Sequence, residues 1–159
     1  MAYHGLDTYL TDHLAGATAG LNLVRLAAEE HQGDEHGAFF GDLAVEIRED
    51  YETLEKLMDS LAVDKSATKT ALAEVGTKVM SPKFTGDDDA LNAFITLETL
   101  SIGVEGKHCM WQALNTLDDP TLDNLDIDAL IARAQDQRKR LEDQRLAIAP
   151  QALAHTVSA

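Results

Sequence analysis

Glu98, Ser101, Glu105, His108 and Gln112 share a spacing that brings them into line if the stretch from Leu91 to Leu114 is a helix. At roughly 100° per residue they fall within one arc of about 80°. Leu97, Leu100, Val104 and Trp111 flank that arc on one side, and Leu91, Ile95, Ile102, Cys109 and Ala113 on the other. Asn92, Thr96, Thr99, Gly103 and Lys107 fall on the opposite face. The pattern predicts acids that point into the protein, where an unpaired charge is costly. A metal ion, an arginine or a proton could neutralise them. Glu105 and His108 stand three apart, so both side chains can reach one ion from adjacent turns, and Glu98 could join them from the same face.

The elements that must position this line are also helical, and no segment alternates with period two. A first long helix is predicted from about Leu6 to His31, with an inward arc of Tyr9, Leu10, His13, Ala17, Gly20, Leu23, Val24 and Ala27. Gly16 and Gly20 would let a neighbouring helix come close. The run from Gln32 to Gly37 breaks the pattern as a short turn, so a second helix, about Ala38 to Ala62, packs back antiparallel on the first. Its stripe is Phe39, Leu43, Ile47, Leu54, Leu57 and Leu61. A short helix is expected from Ser66 to about Met80, inside a connection long enough to cross the length of a bundle. A fourth helix follows from about Ala90 to Leu117. A fifth starts after an Asp126 N-cap and runs from Ile127 to Ala149, where Pro150 ends or kinks it. The tail, about 150–159, is expected to be frayed. The whole chain reads as one helical domain, 1–159.

The same angular test locates polar residues on the other apolar faces. Asp50 lies in the middle of the second helix's stripe, with Glu46 at its edge; Glu49, Glu52, Glu55 and Asp59 read as solvated acids. His13 lies at the centre of the first helix's face. On the last helix Arg138 and Arg145 fall inside the arc of Ile127, Leu130, Ile131, Ala134, Leu141 and Ile148, with Gln137 and Gln144 at its edge. The inward polar set is therefore His13, Asp50, Glu98, Glu105, His108, Arg138 and Arg145. It forms one constellation only if its members lie at similar heights along the bundle.

Composition narrows the classes of function. Thirteen basic residues against 28 acidic ones give a net charge of −15. That balance argues against nucleic acid and against an anionic membrane surface. No apolar run approaches the length of a membrane span, and the N-terminus lacks a secretory pattern, so a cytoplasmic protein is expected. Cys109 is the one cysteine and reads as a buried packing residue. Neither a Gly-x-Ser-x-Gly elbow, an HExxH helix nor a phosphate-cradling loop is present, which argues against a hydrolase.

Two long helices in a hairpin, a long connection and two more long helices resemble the ferritin-like superfamily along nearly the whole chain. The resemblance implies an all-α four-helix bundle of antiparallel hairpins joined by a crossover that carries a short extra helix. It also implies a pair of iron or manganese ions held by carboxylates and histidines. Glu105-Gly-Lys-His108 matches the family's Glu-x-x-His spacing, with Glu98, His108 and Asp50 as further metal candidates. The rest of the pattern is degenerate. The second helix offers Glu46 to Glu49 with no histidine, the first offers His13 for a glutamate, and the last carries Arg138 where a ligand would stand. A guanidinium keeps its proton and repels a metal pair, and it would fork onto Glu98 or Glu105.

Two readings follow. In the first, no catalytic metal or other cofactor is expected, and a buried Asp/Glu/His/Arg network stands in place of the metal site. The protein would then serve as a structural, stress-associated or protein-binding module, alone or as a homodimer. In the alternative, it is a metal-carboxylate protein that binds iron or manganese and handles oxygen or peroxide in a stress response.

Overall fold

The computed structural model describes residues 5–67 and 88–154 of the chain, and four long helices dominate it. They are α1 (Leu6–Glu30), α2 (Gly37–Ser60), α3 (Asp89–Leu114) and α4 (Ile127–Leu153). The helix expected from Ser66 to Met80 falls almost entirely outside the described residues, which show only a 3-10 turn at Lys65–Ala67.

Local chemistry marks the α1–α2 turn and the starts of α3 and α4. The α1–α2 turn is tied by Asp34. Its side chain accepts from the backbone N–H groups of His36 and Gly37, at 2.8 and 3.0 Å, and lies 2.7 Å from His31 Nδ1. Gly37 is obligatory there, because a Cβ would stand 2.2 Å from the carbonyl oxygen of His31. Asp88 and Asp126 cap α3 and α4 by accepting from the N–H groups of Leu91 and Ala129, each at 3.0 Å. Pro150 does not end α4, which continues to Leu153. The carbonyl that loses its partner to Pro150 belongs to Leu146, an exposed residue in the last turns, so water can satisfy it.

Two apolar clusters hold the bundle together, and each draws on all four helices. One gathers Val24 and Ala27 from the end of α1, Phe40 and Leu43 from the start of α2, Phe94 and Leu97 from the start of α3, and Leu141 and Ile148 from α4. The other gathers Leu10 and Leu14, Leu54 and Met58, Met110 and Trp111, and Ile127 from the opposite ends. The clusters therefore fix the directions. α1 is antiparallel to α2 and to α3, while α2 and α3 run the same way, so the chain between them joins opposite ends of the bundle. The helices form two hairpins, α1 with α2 and α3 with α4. No helix among the described residues is long and apolar enough to cross a membrane.

α3 is turned about a third of a turn from the orientation its acids suggest. The buried line is Ala93, Leu97, Leu100, Val104, Trp111 and Leu114, one of the two flanks of the acidic arc. Glu98 is consequently exposed, and Lys107, expected in solvent, is brought inside. α4 differs less. Its buried face is centred on Gln137, Leu141 and Ile148, which leaves Arg138 outside at 57% side-chain exposure. Cys109 is exposed, not packed.

Candidate functional site

Near the junction of the two apolar clusters lies a polar layer. On α2 Asp50 falls between Ile47 of the first cluster and Leu54 of the second, and on α3 Lys107 falls between Val104 and Met110 in the same way, while on α4 Gln137 lies within the first cluster, between Ala134 and Leu141. Asp50 is 5% exposed and Gln137 is fully buried. Lys107 Nζ donates to Asp50 Oδ2 and to Gln137 Oε1, both at 2.5 Å. Gln137 Nε2 in turn donates to Asp50 Oδ2 at 3.1 Å and to Glu46 Oε2 at 3.0 Å. The amide therefore bridges ammonium and carboxylates with both of its ends, as a buried amide must to be satisfied.

Arginines close the layer toward solvent. Arg133 Nη2 donates to Glu49 Oε2 and to the carbonyl of Glu46, both at 2.8 Å, while its Nε lies 3.3 Å from Asp50 Oδ1. Arg140 Nη2 donates to Glu46 Oε2 at 2.6 Å. Lys107, Arg133 and Arg140 thus stand against Asp50, Glu46 and Glu49, and Arg140 also holds the exposed Asp136 at 2.7 Å. Burial pushes the Lys107 ammonium below the ordinary lysine range, and the neighbouring Asp50 carboxylate opposes that shift.

The expected residues divide into two groups. Asp50 is buried, as its place in the α2 stripe implies, and its ion-pair partners are Lys107 and Arg133. The acidic line of α3 instead lies at the seam with α4. Arg138 Nε pairs with Glu105 Oε2 at 2.9 Å and Arg145 Nη1 with Glu98 Oε2 at 3.0 Å. The Arg138–Glu105 partnership is one of the two expected from the sequence, but it forms at a half-exposed position and not in the core. His108 is largely covered, with Nδ1 3.7 Å from Glu105 Oε1 and Nε2 3.2 Å from the side-chain amide nitrogen of Gln135. Glu98 and Glu105 therefore belong to a surface seam, with His108 partly covered beside it, one face away from the polar layer. Because both side chains of the Arg138–Glu105 pair are about half exposed, Arg138→Ala is expected to change the unfolding free energy by less than about 1 kcal/mol in urea titration.

Among the described residues no three histidine, cysteine, aspartate or glutamate side chains converge as a metal ion would require. No family model, curated protein or solved structure matches this chain. Its chemistry must be judged from its own residues.

The inward set expected from the sequence lacks Lys107, which periodicity puts on the opposite face, Gln137, which it puts at the arc's edge, and Arg133 and Arg140. The available signal for the last three was their spacing: 133, 137 and 140 recur at four and three residues along one helix face, opposite Glu46, Glu49 and Asp50 on another. For Lys107 no comparable signal exists, since a lone lysine on a polar helix face reads as solvated.

His13 is half-buried, with its ring edge-on to Tyr9 at 4.5 Å between centroids. Burial holds its pKa below the ordinary value of 6.5, and Asp12 pulls the other way. Its linkage to folding has a definite sign. Below pH 6.5 the unfolded histidine takes a proton that the native one does not, so stability falls with pH until the depressed native value is reached. Urea titrations between pH 7.5 and 5.5 should show this slope in the wild type and its removal in His13→Gln. An identical slope in the two proteins would assign it to other groups.

Proposed function

We propose that this protein is a ferritin-like bundle that works without a redox metal, as a binding module. The observation that carries the reading is the Lys107 ammonium in the middle of the polar layer, hydrogen-bonded to Asp50 and Gln137. A pair of metal ions at that height would face this fixed positive charge, and the acids they would need already have cationic partners. Asp50 and Glu46 are neutralised within the layer, and Glu98 and Glu105 by Arg145 and Arg138 at the α3–α4 seam. The residues present do not fit the di-iron or di-manganese group that a ferritin-like fold implies. An ion-pair layer of this kind holds the helices at one register without adding much net stability, which suits a scaffold.

Elemental analysis tests the reading. After anaerobic loading with iron or manganese and desalting, the protein is expected to retain well under one equivalent of either. Glu105→Ala and Asp50→Asn are expected to leave that background unchanged. Two equivalents per chain, lost in either variant, would refute the reading and direct attention to oxygen and peroxide. With a net charge of −15, partners are expected to be proteins, a second copy or small molecules, and not nucleic acid or anionic membranes.

A further inference from the structure

Helices α1 and α3 do not close on each other along their middle turns. A cavity of about 400 Å³ lies between them, with α2 behind it. Gly16 and Gly20 of α1 face Gly103 and Gly106 of α3 across it. These glycines do not serve close helix packing, as the sequence suggested for the α1 pair, because a Cβ built on any of the four meets nothing within 4 Å. Gly16 and Gly103 are exposed, so the space opens to solvent there. Its size falls within the range of small-molecule sites, about 300–1,000 Å³, and its walls are mainly apolar with a few polar groups, the usual composition of such sites.

The polar groups identify what would fit. Lys107 lines the cavity as well as the polar layer. An ammonium has three protons. Among the described residues Asp50 and Gln137 accept two of them, which leaves one for an acceptor in the cavity. Trp111, in the same wall, is fully buried, and its indole N–H has no acceptor among the described residues. At the cavity edge burial holds the His13 pKa below the ordinary histidine value, with Asp12 opposing the shift. Charge then selects among apolar ligands. An anion would meet Asp12 and Asp50 in the wall and a molecule of net charge −15. A cation would meet the Lys107 ammonium. A neutral molecule meets neither penalty.

We propose that the α1–α3 cavity binds a neutral, largely apolar small molecule that carries one hydrogen-bond acceptor, such as a medium-chain ketone or ester, with that acceptor on Lys107 Nζ. The proposal deepens the binding-module reading, on which it rests in taking Lys107 as the resident cation.

The test titrates the protein with 2-nonanone, nonanoate and nonylammonium, followed by the emission of Trp111, the single tryptophan, and by ligand-observed NMR. The ketone is expected to bind saturably, about tenfold more tightly than the acid or the amine. Gly16→Leu and Gly103→Leu place side chains in the empty space and are expected to weaken ketone binding at least about tenfold. The melting temperature of the free variants should hold or rise by about 1–4 °C, since glycine inside a helix is destabilising. Absence of ketone binding, tighter binding of either charged probe, or unchanged affinity in both variants would overturn the proposal. So would a fall of several degrees in the free variants, because the space would then already be filled. A fall that depends on protein concentration would assign it to a second copy, and one that does not to the chain's own residues. All titrations contain EDTA, so metal occupancy does not enter; the metal-free reading stands or falls by elemental analysis alone.

Discussion

Lys107→Met is expected to lower the unfolding free energy by about 3–5 kcal/mol, the range for removing one partner of a buried ion pair. Methionine keeps most of the length of the side chain and fills the same volume, so packing contributes little to the loss. What is lost is the donor that both Asp50 Oδ2 and Gln137 Oε1 share. Asp50 is left buried with Arg133 as its remaining cation, 3.3 Å away and toward solvent. The double variant Asp50→Leu/Lys107→Met removes the orphaned charge as well and should recover most of the stability, because hydrophobic replacement of a complete buried pair is often neutral. Urea unfolding of the wild type, the two single variants and the double variant forms a cycle whose coupling energy measures the pair directly. A loss below about 1 kcal/mol in the single variant would mean that water reaches Lys107 and that the layer is solvated.

The second large effect is expected at Trp111. Trp111→Ala should cost about 3–5 kcal/mol, as for other fully buried large aromatics. Trp111 is the largest side chain with essentially no exposure, and it packs in the cluster of Leu10, Leu14, Leu54, Met58 and Met110. It has no hydrogen bond to lose among the described residues, so the penalty is one of packing. The residue also separates that cluster from the α1–α3 cavity, so truncation joins a new void to an existing one and gives the surroundings little reason to collapse. Thermal and urea unfolding of the variant check the value. A cost below about 2 kcal/mol would mean that neighbouring side chains relax into the space.

The architecture was legible in the sequence because each helix carries its own boundary signals. The Asp34 turn, the Asp126 cap and the stripe of Leu43, Ile47, Leu54 and Leu57 are local features, and each stands where periodicity puts it. Asp50 was legible for the same reason, as a single acid in the middle of a clear apolar stripe. α3 defeats the method. Phe94, Ile95, Leu97, Ile102, Val104 and Trp111 go round most of its circumference, and Ile102 is left 69% exposed. A helix with apolar residues on nearly all sides has no preferred face by periodicity. Its orientation is set by its neighbours: Glu46, Asp50 and Gln137 leave a place for one cation, and the long stem of Lys107 can deliver it from a half-buried position. The pairing of Arg138 with Glu105 could be anticipated, since opposite charges on adjacent helices find each other wherever they lie. Its depth could not, because depth depends on the rotation of both helices.

The cavity and the polar layer meet at Lys107, and both lie where the α1–α2 hairpin docks on the α3–α4 hairpin. Within each hairpin, helix packs on helix directly. Between α2 and α4, contact at mid-height is made by the tips of long side chains such as Arg133, Gln137 and Arg140. Such tips can exchange partners or take up water while every helical hydrogen bond stays intact. A shift of one hairpin against the other at mid-height would therefore be taken up by side-chain partners, and Lys107, shared by the layer and the cavity, would carry it from one to the other.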